Sequence, residues 1–482
     1  MYDVIVIGGG PAGVTAAIRV RELGASAALV ERGRMGGTCT NDGCVPTRVL
    51  AKAARLIRDA QQFDEYGLVA QPPELEFERL MARTQQVVYS MHEKKQLINH
   101  LRQARVEVYS EVGEARFVDD HTIEFGDGQR LQARKFILCA GGRARRLDFP
   151  GAEYALTHSD IWSLKKLPRL LAVVGGAATG CQLASIFNAF GVQVTILERN
   201  QRLLGIEDEV VSQVIQRAFL QRGIQLIMGI ETVERIEKRA DNHLALIFRR
   251  GGEQEIEADA IVLSAGWVGN LSSLNLPAAG VETVGPYVRV DDFQRTSAPH
   301  IFAAGDITGR MMLVQSAGYE ALTAAENAVL GVGARLQHQI VPHGGFTDPE
   351  YGGVGMTEAQ ARAAGYEITV GVTPYSDMDR AVIDGHPVGT CKLIVSNQTH
   401  RILGAHVVGE QALEIVHVAA AGMAADMWVE QLAELQIAYP TFTTILGLAA
   451  RQVVRQLGVQ PLSPEWRSLG YLPNAEWEVS SQ

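Results

Sequence analysis

Five cysteines are all that this chain of 482 residues carries, and only Cys39 and Cys44 are close neighbours. That count excludes a secreted scaffold stapled by several disulfides. The 12 histidines share no metal-ligand spacing with cysteine or with each other, so no metal site is expected. No apolar run approaches the roughly 20 residues that span a bilayer. Met1-Tyr2-Asp3 leads straight into Val4-Ile5-Val6-Ile7, without the basic flank of a signal peptide. Basic charge is also short: 44 Lys and Arg against 54 Asp and Glu give a net charge of −10. Nucleic acid and anionic membrane are therefore poor partners, and the cluster Arg143, Arg145 and Arg146 reads as a solvated loop. A cytoplasmic protein is expected. Its 47% hydrophobic content is enough for large cores in roughly two to four domains.

What is present is organised around Gly36-Gly37-Thr38-Cys39-Thr40-Asn41-Asp42-Gly43-Cys44. Two cysteines this close can close a small disulfide ring, and the helix-forming run that follows offers a thiolate its positive N-terminal dipole. A pair of ordinary buried cysteines is the plainer alternative. The context favours redox work. Upstream, a strand (Tyr2 to Ile7) runs into Gly8-x-Gly10-x-x-Gly13, a helix from Ala12 and a second strand ending in Glu31. The first glycine makes the tight turn, the second admits a pyrophosphate and the third lets helix pack on strand. The terminal acid suits a ribose hydroxyl.

Residues 48–104 have helical spacing, a β segment follows from Val106, and the strand Phe136 to Cys139 ends in Ala140-Gly141-Gly142. Cys139 reads as core. A second dinucleotide unit opens with the strand Leu171 to Val174, then Gly175-Gly176-Ala177-Ala178-Thr179-Gly180, a helix, and a strand ending in Glu198. Ala177 replaces the middle glycine, and its methyl should crowd a pyrophosphate. Glu198 favours NAD(H), although Arg199 and Arg202 leave NADP(H) open. The strand Ala260 to Ser264 ends at Gly266. Ile301 to Ala303 leads to Gly305-Asp306, whose carboxylate suits a cofactor polyol or, equally on local grounds, a helix N-cap. From His343 alternating strands and an alanine-rich helix (Glu410 to Ala425) indicate a separate domain. The class is α/β: two Rossmann-like dinucleotide-binding domains and a C-terminal α+β domain.

These residues, with FTDPEYGGVGMTEAQA (346–361) and RILGAHVVG (401–409), resemble the flavin-dependent pyridine nucleotide-disulfide oxidoreductases, among them dihydrolipoamide dehydrogenase, glutathione reductase and mercuric reductase. The resemblance implies an FAD domain from 1–150 and 270–340, an NAD(P) domain from 151–269, a homodimer interface from 341–458 and a tail from 459–482. It places FAD on Gly8, Gly10, Ala12, Gly13, Glu31, Arg32, Gly37, Thr38, Arg48, Gly113, Ala140, Gly141, Gly142, Gly305, Asp306, Met312, Leu313, Val314 and Gln315. NAD(P)H, with NADH favoured, would use Gly175, Gly176, Ala177, Thr179, Gly180, Glu198, Val233 and Gly266. Cys44 would be the sulfur against the flavin, and Cys39 the one that exchanges with a dithiol or disulfide substrate.

The family's His-Pro-Thr-x-x-Glu motif supplies a catalytic base and the acid that orients it. Here it reads Tyr439-Pro440-Thr441-Phe442-Thr443-Thr444, so the base position is Tyr439 and the acid position Thr444. The lysine beside the flavin is Arg48 and its glutamate partner Gln182. Trp267 stands where an arginine is usual. These departures keep two further readings open: a metal-ion reductase like mercuric reductase, which also carries a tyrosine there, and a redox-sensing flavoprotein with weakened nicotinamide use.

Overall fold

A six-residue apolar strand followed directly by glycine is suited to a parallel sheet buried on both faces. In the computed structural model, which describes residues 1–240, 243–336 and 340–459, β1 (Tyr2–Ile7) lies inside a seven-stranded sheet. It pairs in parallel with β2 (Ala27–Glu31) on one side and with Gln129–Leu138 on the other. Between β1 and β2 the chain crosses over through α1 (Pro11–Glu22). Ile301–Ala303 then adds in parallel to Gln129–Leu138, so the first sheet is completed by a strand that follows the second nucleotide unit in sequence.

The second unit is a four-stranded parallel sheet of Leu170–Val174, Gln193–Glu198, Gln225–Met228 and Ala260–Leu263. Against it packs a three-stranded antiparallel sheet over Thr232–Lys238, Leu244–Arg249 and Glu253–Ala258, which the sequence reading did not single out. Ile236, Leu246 and Phe248 share a core with Val174, Leu197 and Leu263. Arg235, Glu237, Arg239, Glu253 and Glu255 pair with each other on the outside.

The two glycine turns are near copies. Gly8 and Gly175 both have φ +111°, and a Cβ on them would sit 2.2 Å from the Cys139 carbonyl oxygen and 2.4 Å from that of Ser264. A Cβ on Gly13 or Gly180 would lie 2.0 Å or less from the carbonyl of the turn's own first glycine. These four glycines are dictated by the protein's backbone itself.

The C-terminal part is a five-stranded antiparallel sheet, ordered His343–Gly345, Tyr351–Gly355, Ile402–Val408, Thr390–Ser396 and Ile368–Pro374. Helices Ala412–Ala424 and Thr444–Leu457 cover it through Ile415, Val416, Leu446 and Ala449; the second of these helices was not read from the sequence.

The chain divides into two compact units, Met1–Gln201 with Arg222–Gln339, and Arg202–Gln221 with Ile340–Gln482. Residues 202–221, read from sequence as part of a nicotinamide domain over 151–269, belong with the C-terminal sheet instead. The reason is electrostatic. Asp208, 2% exposed, lies 2.9 Å from Lys392 Nζ and accepts the Glu358 N–H, while Glu207 pairs with His343 at 3.0 Å. Apart from Val459, the expected tail lies outside the described residues.

Candidate active site

Cys39 and Cys44 sit on two consecutive helices rather than on a loop: Cys39 in the single turn α2 (Gly37–Asn41), Cys44 as first residue of α3 (Cys44–Ala60). Both are free thiols, Cys39 half-buried and Cys44 exposed. They share a proton. By accepting a hydrogen bond from Cys44, and with the Lys95 ammonium nearby, Cys39 is brought down to about 7 against the opposing effect of burial. Cys44, the donor, is pushed upward. Once Cys39 is engaged elsewhere, the positive N-terminal end of α3 favours a thiolate on Cys44, its first residue.

This turn is braced by groups more than fifty residues away in the chain. At the end of α4 (Phe77–Lys95), Lys95 Nζ donates to Thr40 Oγ1 at 2.9 Å, and His92 Nε2 lies 2.8 Å from Asn41 Oδ1. Asn41 in turn donates to the Arg34 and Met35 carbonyls. Nothing in the spacing of residues 92 and 95 announces this.

The first glycine turn adjoins the cysteines. A Cβ on Gly37 would fall 2.9 Å from Gly10 Cα, so the backbones touch where α1 and α2 begin. Glu31 takes the Gly9 N–H at 2.5 Å and that of Gly33 at 2.8 Å. Gly113 donates to the Arg32 carbonyl, which lays that segment along the end of β2. Ala12 is the second residue of α1, and Thr38 sits in α2 with Cys39. Arg48 is exposed on α3.

Ala140, Gly141 and Gly142 converge with Gly305 and Asp306. Asn270 binds the carbonyls of Ala140 and Gly141, and a Cβ on Gly142 would be 3.2 Å from Asp306 Cβ. The local alternative for Asp306 fails, because Gly305 is the N-cap of the turn and no side chain caps it. Burial, with Glu320 behind it, pushes the Asp306 carboxyl up to about 6. Glu320, fully buried, accepts the Gly305 N–H at 2.7 Å and was missed from sequence. Met312 and Leu313 lead into the helix Val314–Leu330, with Val314 and Gln315 in its first turn.

At the second turn, Glu198 accepts the Gly176 N–H at 2.6 Å and both the N–H and side-chain amide of Asn200 at 2.8 and 2.7 Å. Ala177 caps the helix Ala178–Ala189, which includes Thr179 and Gly180, and is exposed. Gln182 turns back to the Ala178 carbonyl. Arg202, read as a possible phosphate ligand, donates to the Gly205 carbonyl. Val233 is part-buried against the core of the antiparallel sheet, and Gly266 (φ +95°) accepts the Arg145 N–H.

In the C-terminal unit, Tyr439 is 74% exposed and its hydroxyl donates to Asp379 Oδ2 at 2.6 Å. That bond raises the phenol further above its usual value, so Tyr439 keeps its proton more firmly than an ordinary tyrosine and offers no phenolate base at neutral pH. Thr444, read as standing in the acid's place, lies 3.4 Å from the Thr441 hydroxyl instead. The carboxylate behind Tyr439 comes from another helix, Asp379–Ile383, and no motif at 439–444 could have revealed it.

Residues 2–321 match the family model of pyridine nucleotide-disulphide oxidoreductases, and residues 341–450 match that family's dimerisation domain. The chain belongs to this family. It is 33% identical over 454 residues to a mercuric reductase of Lysinibacillus sphaericus, covering 93% of this chain and 82% of that protein. A dihydrolipoyl dehydrogenase of Thermus scotoductus is 33% identical over 94% of this chain and 98% of its own length. Among solved structures it is similar to the HOCl-induced flavoprotein disulfide reductase RclA from Escherichia coli, with a TM-score of 0.83, 27% identity, and coverage of 94% and 100%. The family depends on FAD and NAD(P)H. No described helix is long and apolar enough to cross a membrane.

The residues present fit FAD. The Asp306 side chain is half-buried yet has no hydrogen-bond partner among the described residues, leaving a carboxyl free for a polyol. Gly10 has no sterically required role of its own: a Cβ there would make only ordinary contact, 3.6 Å from Gly37 Cα. Its bare backbone leaves room for a pyrophosphate.

Proposed function

We propose that this enzyme passes electrons from NADH to a disulfide substrate, or from a dithiol to NAD, through the Cys39–Cys44 pair. The observation that carries this is the backbone contact of Gly37 with Gly10, which sets the cysteine helices beside the first dinucleotide turn. FAD, when bound, supplies two-electron transfer between nicotinamide and sulfur. Gly8, Gly10, Gly13 and Glu31 would hold its dinucleotide portion and Asp306 its polyol. Gly175, Gly176, Thr179 and Glu198 would hold the nicotinamide nucleotide. NADH is favoured because Glu198 ends the second strand and Arg202 is engaged by its own loop.

In the reductive direction the Cys39 thiolate attacks one sulfur of the substrate disulfide and expels the other as a thiolate. Cys44 then attacks Cys39, releasing the second substrate thiol and closing the Cys39–Cys44 disulfide. Lys95 steadies the attacking thiolate. In a homodimer Tyr439, whose one hydroxyl proton is given to Asp379 at rest, would turn that proton to the leaving sulfur, a role suited to a phenol that keeps its proton. Such dithiol chemistry belongs in a reducing compartment such as the cytoplasm.

An anaerobic titration of the purified flavoprotein with NADH, and separately NADPH, tests the reading. Reduction of the flavin by NADH that passes on to give two new alkylatable thiols per chain for each two electrons is expected. Reduction by dithionite but by neither nucleotide would overturn it. Turnover with dihydrolipoamide, disulfides and mercuric ion then identifies the substrate.

A further inference from the structure

Asp42 stands between the two cysteines, and an unusual set of groups converges on it. Its carbonyl accepts the Trp162 Nε1–H at 2.8 Å, and its carboxylate accepts the Ser159 hydroxyl at 2.6 Å. Ser159 Oγ is also 3.1 Å from His158 Nε2, which lies 3.8 Å from Asp42 Oδ2. With its proton committed to Asp42, Ser159 must accept from His158, so the chain runs His158 Nε2–H to Ser159 to Asp42. His158 is 6% exposed and its Nδ1 has no partner among the described residues. Its ring packs against Trp267 at a tilt of 45°, centroids 4.5 Å apart. Trp267 opens the strand Trp267–Gly269, which pairs with Gly142–Ala144, and Gly142 abuts Asp306. A continuous path thus links the cysteine turn to the ribbon beside Asp306.

We propose that Asp42, Ser159 and His158 are positioning residues of the redox turn, a strut that holds it against the Trp267 ribbon and sets the reduction potential of the Cys39–Cys44 couple. The inference rests on these cysteines being the redox pair. The groups facing His158 are Asp42, Asp160 and, through Asp160, Arg146. Burial outweighs both carboxylates and holds the imidazole below its ordinary value, so it is neutral at pH 7 and the strut works as a hydrogen-bond chain. In acid the charged imidazole faces Asp42 directly, and the potential acquires an extra pH dependence there.

The test equilibrates the FAD-loaded enzyme with dithiothreitol buffers and counts free thiols by alkylation. In the reaction, dithiothreitol gives two electrons and two protons to the Cys39–Cys44 disulfide and itself becomes the cyclic disulfide. Asp42→Asn and His158→Phe should each shift the equilibrium constant in the same direction by about fivefold, the scale of one net hydrogen bond. The double variant should shift no further than either single one. His158→Gln, which keeps a donor for Ser159, should return to within about twofold of the unaltered protein, and Ser159→Ala supplies a milder break should Asp42→Asn fail to fold. Flavin-loaded Asp42→Asn and His158→Phe proteins with an unshifted equilibrium overturn the strut, even if they melt earlier. If the unaltered protein forms no reversible Cys39–Cys44 disulfide, the assignment of the redox pair fails instead.

Discussion

A thiol is made reactive by what surrounds its charged form, and here the surroundings are Cys44 and Lys95. Cys39, brought to about 7, should be alkylated by iodoacetamide in the reduced protein with a rate that rises through pH 7. Removing the ammonium in Lys95→Met also releases Thr40. The inflection should move up, and the rate at pH 7 should fall about twofold to fivefold for a loss of about half a pKa unit to one unit of charge stabilisation. An unmoved inflection would exclude Lys95. Tyr439 makes the complementary case. Its phenol is raised by donating to Asp379, so it contributes no ionisation to the rate between pH 6 and 9. Tyr439→His places an imidazole where the same Asp379 can orient it. Turnover with dihydrolipoamide should then rise by up to about a hundredfold, the low end of general-base catalysis, and should fall back in Tyr439→His combined with Asp379→Ala. Thr444 need not be changed.

Among the elements, the helix Glu209–Gln221 is the one whose place the chain order misleads about. It follows the strand ending in Glu198, yet the ion pairs at its start join it to the C-terminal sheet. Asp208 is held below the usual carboxylate range: burial opposes this, and the Glu358 N–H and Lys392 outweigh it. Its contribution is therefore present above its ordinary value of 3.8 and is lost as pH falls through the lower folded value. Lys392 is raised in spite of burial by Glu358 and Asp208, so its part is present below 10.5 and lost only at still higher pH. His343 is raised by Glu207, which overcomes burial; its part is full below 6.5 and fades as pH rises through the folded value. The tether should be firmest between the acid loss of Asp208 and the titration of His343. Lys392→Met leaves Asp208 buried without its cation, at a cost of about 3–5 kcal/mol. Hydrogen exchange should show this first as lost protection over residues 209–221, and unchanged protection there would exclude the tether.

Across the molecule, what could be read from sequence was local. Both glycine turns, their flanking strands and the terminal acids Glu31 and Glu198 are fixed by steric rules that act within some thirty residues. What could not be read depends on distant groups meeting: Lys95 with Thr40, Asp379 with Tyr439, Glu320 under Gly305, His158 with Asp42. The antiparallel strands of 232–258 were missed because their exposed face is charged and their inner face is shared with another sheet. The comparison of the two turns yields the last prediction. Gly10 and Ala177 have nearly the same backbone, φ −75° and ψ −175° against φ −84° and ψ −173°. A methyl therefore fits the protein at either position, and the difference between them concerns the ligand. Gly10→Ala should fold, because its Cβ meets nothing closer than 3.6 Å, but should lose FAD on gel filtration. Ala177→Gly should lower KM for NADH about threefold to tenfold with little change in kcat, since one methyl's clash weakens ground and transition states alike. A Gly10→Ala protein that keeps its flavin would show that the pyrophosphate does not approach this turn. An unchanged KM in Ala177→Gly would show that the nicotinamide nucleotide is held without contact at residue 177.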